Sequence, residues 1–238
     1  TSPEERIRSK STLFLAKVLS TAPPLSLPSY QIHHLLVFFM HRLSDHPSSL
    51  PSLIALNSLV SNYATILDLK YDDVNGVLQQ LFALDCSSQP QSIRHKSYEL
   101  HINILTLLPS HVAPAGSLPD YIASMLETIH GEKDPRCLLL TLRISQLLAP
   151  IIQTITPNER LMQRLFEGVV CYFPITFTPP PNDPYQITSA MLQEALHNTL
   201  IASPSIAALS IPFLLNSLHD TDSSSSSLNE VKKPPKSK

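Results

Sequence analysis

The chain has 238 residues, 43% of them hydrophobic, with a formal net charge of −2 and a sequence pI near 6.5. These values allow one or two domains with a substantial core and exclude a global basic field that would gather nucleic acid or acidic lipid. Tryptophan is absent, glycine occurs four times and proline 22 times, and none of GxGxxG, GxxxxGK[ST] or GxSxG is present, so the chain is not built like a nucleotide enzyme.

Helical periodicity recurs from end to end, with no convincing period-2 series. Prolines and small polar residues divide it, predicting helices over 3–20, 29–45, 51–68, 71–85, 91–108, 118–130, 135–152, 157–171, 189–202 and 204–219. Ser2-Pro3-Glu4-Glu5 opens the first as a capping box: the hydroxyl accepts from an orphan N–H, and the Glu three residues on reaches back. Asp72-Asp73 opens the fourth as capping and dipole partners. Ser92-Ile93-Arg94 opens the fifth and Asp134-Pro135-Arg136 the seventh, where the Asp134 carboxylate faces the positive end of the helix dipole. Thr156-Pro157-Asn158-Glu159 predicts a second capping box, with Pro157 at the first helical position. Ser203-Pro204 opens the last helix without the Glu.

Taken two at a time, these helices give about five units of the ~40–47-residue period of HEAT and armadillo repeats. The predicted fold is therefore all-α, a HEAT/armadillo-like α-solenoid over residues 1–219. Arg94 and Arg136 stand where HEAT units often carry an arginine. Tetratricopeptide and ankyrin patterns lean on glycine and on Trp or TPLH motifs that the chain lacks, and the Trp–Asn ladder of an importin-alpha-like groove needs a Trp. After Asp220 come the serine run Ser223 to Ser227 and a basic, proline-rich end, so 220–238 is expected to be a disordered, solvated linker or tail.

Catalytic and metal chemistry find little support. Cys86, Cys137 and Cys171 lie far apart and are expected to be buried free thiols. Among ten histidines, His33, His34 and His41 share one helix with His46 beyond, and His95 and His101 share another. No HExxH occurs and no Cys lies at ligand spacing from a His, so ordinary histidines are expected, with no metal and no cofactor. Glu127, Glu132 and Asp134 cluster near a turn beside Lys133 and Arg136, which predicts a structural loop with local ion pairing. No catalytic residue is assigned. No apolar run approaches the roughly 18 residues of a membrane span.

The segment CYFPITFTPPPNDPY, Cys171–Tyr185, breaks the pattern. Pro174, Pro179, Pro180, Pro181 and Pro184 each lack the donor that helix and sheet ladders need. Phe173, Thr178 and Asp183 precede prolines and are pushed toward extended geometry. In an extended chain Phe173, Ile175 and Phe177 share one side. Two readings stand open: a strap stapled onto neighbouring helices, or a preordered polyproline surface from Pro179 to Tyr185 offered to a partner. The residues singled out as partner contacts or structural signature are Phe173, Pro174, Phe177, Pro179, Pro180, Pro181, Asp183, Pro184 and Tyr185, with Glu132, Asp134 and Arg136.

CYFPITFTPPPNDPYQIT at 171–188 resembles the signature of the MMS-nineteen nucleotide-excision-repair family, in its N-terminal HEAT-repeat region. HGEKDPRCLLLTLRIS at 130–145 is similar to the same family's turn and helix, and ALHNTLIASPSIAALSIPFLLNSL at 195–218 also fits. The resemblance is best over 90–218. Gln186 stands where the family often has Gly, and the next helix opens Thr188-Ser189-Ala190-Met191-Leu192 without the common acidic-Leu start. The resemblance implies a non-enzymatic scaffold of the cytosolic iron–sulfur assembly machinery. Such a scaffold acts with a WD-repeat propeller protein and a small partner to bring apo-proteins, such as DNA helicases, polymerases and primases, to the cluster donor. It further implies residence in nucleus and cytoplasm, links to transcription and heterochromatin silencing, and assembly contacts through C-terminal repeats outside this sequence. The sequence begins with Thr and is expected to be a fragment of a larger cytosolic or nuclear protein. The competing expectation is a generic HEAT adaptor in transcription, silencing or transport.

Overall fold

The computed structural model describes residues 2–23, 26–64, 71–112 and 117–229. Their order is α1 (Pro3–Thr21), α2 (Ser29–Arg42), α3 (Ser49–Tyr63), α4 (Tyr71–Ala83), α5 (Gln91–Leu107), α6 (Leu118–Ile129), α7 (Pro135–Gln153), α8 (Glu159–Val170), α9 (Ser189–Leu200) and α10 (Pro204–Asn229). Single 3₁₀ turns occupy His46–Ser48, Cys86–Ser88 and Pro109–His111. No strand occurs among the described residues.

Helix starts follow the local chemistry. Ser2 Oγ accepts from Glu5 N at 3.2 Å and Glu5 Oε2 accepts from Ser2 N at 2.8 Å, closing the expected capping box. Asp134 caps α7 by accepting from Arg136 N at 3.0 Å, and Thr188 caps α9 by accepting from Met191 N at 3.2 Å. The second capping box does not form. Alpha8 begins at Glu159 behind Asn158, and Thr156 and Pro157 belong to the preceding turn. There Asn158 Nδ2 donates back to Gln153 O at 3.4 Å.

Each helix buries one stripe. In α8, Met162, Leu165, Phe166 and Val169 recur at helical spacing and are all buried, against an outer face of Glu159, Gln163 and Glu167. Stacking of such stripes makes two layers. Odd-numbered helices follow one another in space from α1 to α9, and even-numbered helices do the same from α2 to α10. The core runs along the seam through Ala16, Phe39, Leu56, Leu100, Leu142 and Leu196. The arrangement is an all-α solenoid of five helix pairs, in which each layer covers what its neighbour cannot bury alone.

Polar latches reinforce the stacking. Asn103 Nδ2 donates to Asn57 Oδ1 at 2.9 Å and Asn57 Nδ2 to Lys96 O at 3.0 Å, joining α3 to α5. Thr199 Oγ1 donates to Leu142 O at 3.1 Å, joining α9 to α7.

Alpha7 is long and apolar enough to cross a membrane by length and composition, but half of its apolar window is buried between α5 and α9, as a core helix would be. The predicted third helix ended at 68; α3 ends at Tyr63 and residues 65–70 lie outside the described ones. Alpha10 runs to Asn229, beyond the predicted end at 219, because no proline or glycine follows Pro212 until Pro234. The rest of the expected tail, 230–238, lies outside the described residues.

Candidate functional site

The turn between α6 and α7 carries a dense polar network among the described residues. Gly131 takes a φ of 71°, a left-handed conformation that favours a residue without Cβ. The chain then folds Glu132 inward until only 6% of it is exposed. Its Oε1 accepts from Lys133 N and Asp134 N at 2.9 Å each and from Arg94 Nη2 at 3.0 Å. Its Oε2 accepts from Arg94 Nε at 2.9 Å and from Tyr98 OH at 3.2 Å. The Glu132 backbone carbonyl accepts from Tyr172 OH at 3.0 Å. Every lone-pair direction of this buried carboxylate is used.

The electrostatics follow from that geometry. Burial alone would raise the Glu132 carboxyl, but the Arg94 guanidinium and the two backbone N–H groups outweigh it and hold its pKa below the usual range. Arg94 is raised by its bond to the same carboxylate and also donates to Gln89 O at 2.8 Å. Burial pushes Tyr98 upward and Tyr172 to about 12, so both phenols stay protonated as donors. One clasp thus ties α5, the α6–α7 turn and the residue that leaves α8.

Beside the clasp, Asp134 and Arg136 form a two-bonded pair, Nε to Oδ1 at 2.9 Å and Nη2 to Oδ2 at 2.6 Å. The bond to Arg136 holds Asp134 below its ordinary value, and the bond to Asp134 raises Arg136. The Arg136 guanidinium lies over the Tyr185 ring, 4.4 Å from its centroid. Asp183 organises the corner before it: Oδ1 accepts from Tyr185 N at 3.1 Å and Oδ2 from Ile187 N at 3.2 Å. Asn182 and Gln186 both take positive φ, 63° and 53°.

The strap therefore divides. Ile175 and Phe177 are half-buried against the core. Phe173, 38% exposed, meets Phe213 of α10 edge-on at 5.8 Å between ring centroids. Pro174 and Pro179 to Asn182 are exposed, as are Pro184 and Tyr185, the latter at 60%. Of the twelve residues singled out from sequence, Glu132, Asp134, Arg136, Asp183 and Tyr185 come together at one corner. Phe173, Pro174 and Phe177 lie along the packed limb, and Pro179, Pro180, Pro181 and Pro184 form the exposed one. The sequence pointed to Arg94 only as a repeat-position arginine, and Tyr98 and Tyr172 went unmarked. Nothing local signals that these three converge on one acid.

Other candidates are scattered. His33 Nδ1 lies 3.3 Å from Asp73 Oδ1, and His95 Nδ1 lies 3.4 Å from Glu99 Oε1. His101 is fully buried, stacked 5.5 Å from Phe82 between centroids, with neither ring nitrogen hydrogen-bonded; burial drives its pKa down to about 3, so it is neutral. No three His, Cys, Asp or Glu side chains gather as a metal site would among the described residues. All three cysteines are free, but Cys171 is exposed, contrary to expectation. It sits where α8 hands over to the strap, and its thiol reaches Gly168 O at 3.2 Å.

Stacked helix pairs and an exposed, braced strap define an all-α helical-repeat protein of the solenoid class. The model of the MMS19 N-terminal domain family, described as "Dos2-interacting transcription regulator of RNA-Pol-II", matches residues 1–231, and the chain belongs to that family. It is similar to the human MMS19 nucleotide excision repair protein homolog, 32% identical over 90% of this chain and 20% of the relative. The Dictyostelium discoideum homolog is 30% identical over 89% of this chain and 18% of the relative. The Drosophila melanogaster MMS19 nucleotide excision repair protein is 32% identical over 87% of this chain and 21% of the relative. The chain spans about a fifth of the length of these curated relatives.

Proposed function

We propose that this chain is a segment of a non-catalytic scaffold that serves DNA repair and transcription by delivering iron–sulfur clusters to apo-proteins. Its clients would be DNA helicases, polymerases and primases, and its place of action nucleus and cytoplasm. Contacts to the assembly subunits belong to C-terminal repeats outside this sequence, and the five helix pairs of this segment shape the frame or touch clients. The observation that carries the reading is the family match over residues 1–231. The exposed corner Pro179–Tyr185 supports it physically, because a braced, proline-rich surface loses little entropy on binding. A scaffold of this kind works by effective concentration: client and donor on one frame meet more often without new chemistry. Three free, separate cysteines supply no four-thiolate set, and on this reading the segment need not bind a cluster itself.

A second reading, a helical-repeat adaptor in transcription or silencing, is favoured by the words "transcription regulator" in the family description. Affinity capture with the full-length protein separates the two. Recovery of iron–sulfur assembly subunits together with apo-clients is expected. Recovery of polymerase or import factors without any assembly subunit would overturn the proposal in favour of the adaptor.

A further inference from the structure

Between α6, α7 and α8 lies a cavity of about 360 Å³, with Tyr172 among its lining residues. That volume falls at the small end of the ~300–1,000 Å³ typical of ligand pockets. Its floor is apolar, made by Leu126, Ile129, Leu142, Leu165 and Val169. Its inner polar groups are three hydroxyls whose protons are all committed. Thr141 Oγ1 donates to Leu138 O at 3.0 Å, Ser145 Oγ to Thr141 O at 2.9 Å, and Tyr172 OH to Glu132 O at 3.0 Å. With their protons committed, these hydroxyls have only acceptor capacity left and no donor to offer. The rim carries two exposed carboxylates, Glu127 and Glu167, against one guanidinium, Arg164, with His130 as the remaining polar side chain. Arg164 is engaged by Glu127 at 3.4 Å, and Glu167 Oε1 accepts from Gln163 Nε2 at 2.9 Å, so an incoming cation shares these carboxylates with resident donors.

Gly168 supplies an independent observation. It lies inside α8, where glycine costs about 1 kcal/mol relative to alanine. Packing does not require it, because a Cβ built there would meet no atom within 4 Å. Its backbone φ does not require it either, since among the described glycines only Gly131 takes a positive φ. Gly168 lines the cavity and has open space where its Cβ would stand, so a side chain there would take up cavity volume.

We propose that this cavity receives one lysine or arginine side chain of a partner polypeptide. The methylenes lie on the apolar lining, as long cationic side chains do on apolar surfaces, and the cationic head meets the rim carboxylates Glu127 and Glu167. Acceptor-only walls and a net-negative rim select a donor-rich cation and reject a carboxylate. This goes beyond the iron–sulfur reading and stands without it, since either scaffold could use such a receptor.

The test titrates the full-length protein into acetylated, amidated Ala-Leu-Arg-Leu-Ala carrying a neutral fluorophore, read by anisotropy. Versions with Lys, citrulline or Glu in place of Arg run alongside. The Arg and Lys peptides are expected to bind at least about tenfold more tightly than the citrulline and Glu peptides, because citrulline keeps the shape and loses the charge. Gly168→Leu, which fills the opening, is expected to abolish the difference without lowering the melting temperature. Should that variant fold poorly, Glu127→Gln with Glu167→Gln changes only exposed rim groups and is expected to bring the Arg peptide to the citrulline level. Equal affinity for all four peptides, no measurable binding of any, or Arg-peptide binding untouched by both variants would overturn the proposal.

Discussion

The two limbs of the strap, Tyr172–Phe177 and Pro179–Tyr185, are held by different physics. In the first, side chains do the work: Tyr172 bonds into the clasp, Ile175 and Phe177 rest on the core, and Phe173 meets Phe213. In the second, every residue except Asp183 is exposed, and order comes from proline geometry, the Asp183 turn and the Arg136–Tyr185 contact. A limb fixed by packing has spent its apolar surface on the fold. One fixed by its own backbone keeps its surface for a partner while remaining ordered, which lowers the entropy lost on binding. The same eighteen-residue crossing, 171–188, thus serves as staple at one end and display at the other.

Both limbs adjoin the turn that Glu132 organises, and removal of its carboxylate is expected to have the largest effect. Glu132→Ala leaves the Arg94 guanidinium without its carboxylate in a largely buried site, strips acceptors from Lys133 N and Asp134 N, and leaves Tyr98 OH only the Thr128 carbonyl at 3.3 Å. Breaking a buried pair from one side typically costs about 3–5 kcal/mol, and denaturant unfolding should show a loss of that order. The pH dependence has a definite sign. Because the folded-state pKa of Glu132 is lowered, its contribution is present above the unfolded value of about 4.3 and disappears as the pH falls through the folded value. Glu132→Gln should flatten that acid limb, and an unchanged limb would mean that another group carries it.

The next effect sets the limbs directly against each other. Phe177→Ala removes a half-buried ring and is expected to lower stability by about 1–3 kcal/mol, short of the ~3–5 for a full core phenylalanine. Tyr185→Ala removes a mostly exposed ring and one cation–π contact, worth about 0.5–1 kcal/mol at such a site. Combined with Pro180→Ala and Pro181→Ala, it should leave the fold nearly intact while client capture by the full-length protein drops. If the triple variant unfolds as readily as Phe177→Ala, the distinction between the limbs fails and the whole strap is a staple.

The sequence showed much of this and missed the rest for physical reasons. Helical periodicity and proline punctuation located every helix pair, because both are written within a few residues of the feature they specify. Ser2 and Asp134 illustrate the same locality, each capping a donor no more than three residues away. The clasp was not legible in this way. Arg94 lies 38 residues from Glu132, and Tyr172 lies 40 from it on the other side. Only stacking of α5, α7 and α8 brings them together, and no spacing rule encodes that. The capping box expected at Thr156 failed in the opposite sense: the local motif is present, yet α8 starts at Glu159 behind Asn158 and leaves Thr156 and Pro157 in the α7–α8 turn.

The smallest predicted effect tests whether the exposed limb is held by its backbone. Gln186 has a φ of 53° and an exposed side chain. For a residue with a Cβ, the left-handed region costs roughly 1–2 kcal/mol, which glycine avoids. Gln186→Gly relieves that strain but adds conformational freedom to the unfolded chain, an opposing change of about 0.4–1 kcal/mol. The Asp183 bonds to Tyr185 N and Ile187 N involve no atom of the Gln186 side chain and should persist. A net stabilisation of a few tenths up to about 1 kcal/mol is therefore expected, seen as a slightly higher denaturant midpoint with an unchanged slope. A destabilisation beyond ~0.5 kcal/mol would show that the Gln186 side chain itself braces the corner, and that backbone geometry alone does not hold the displayed limb.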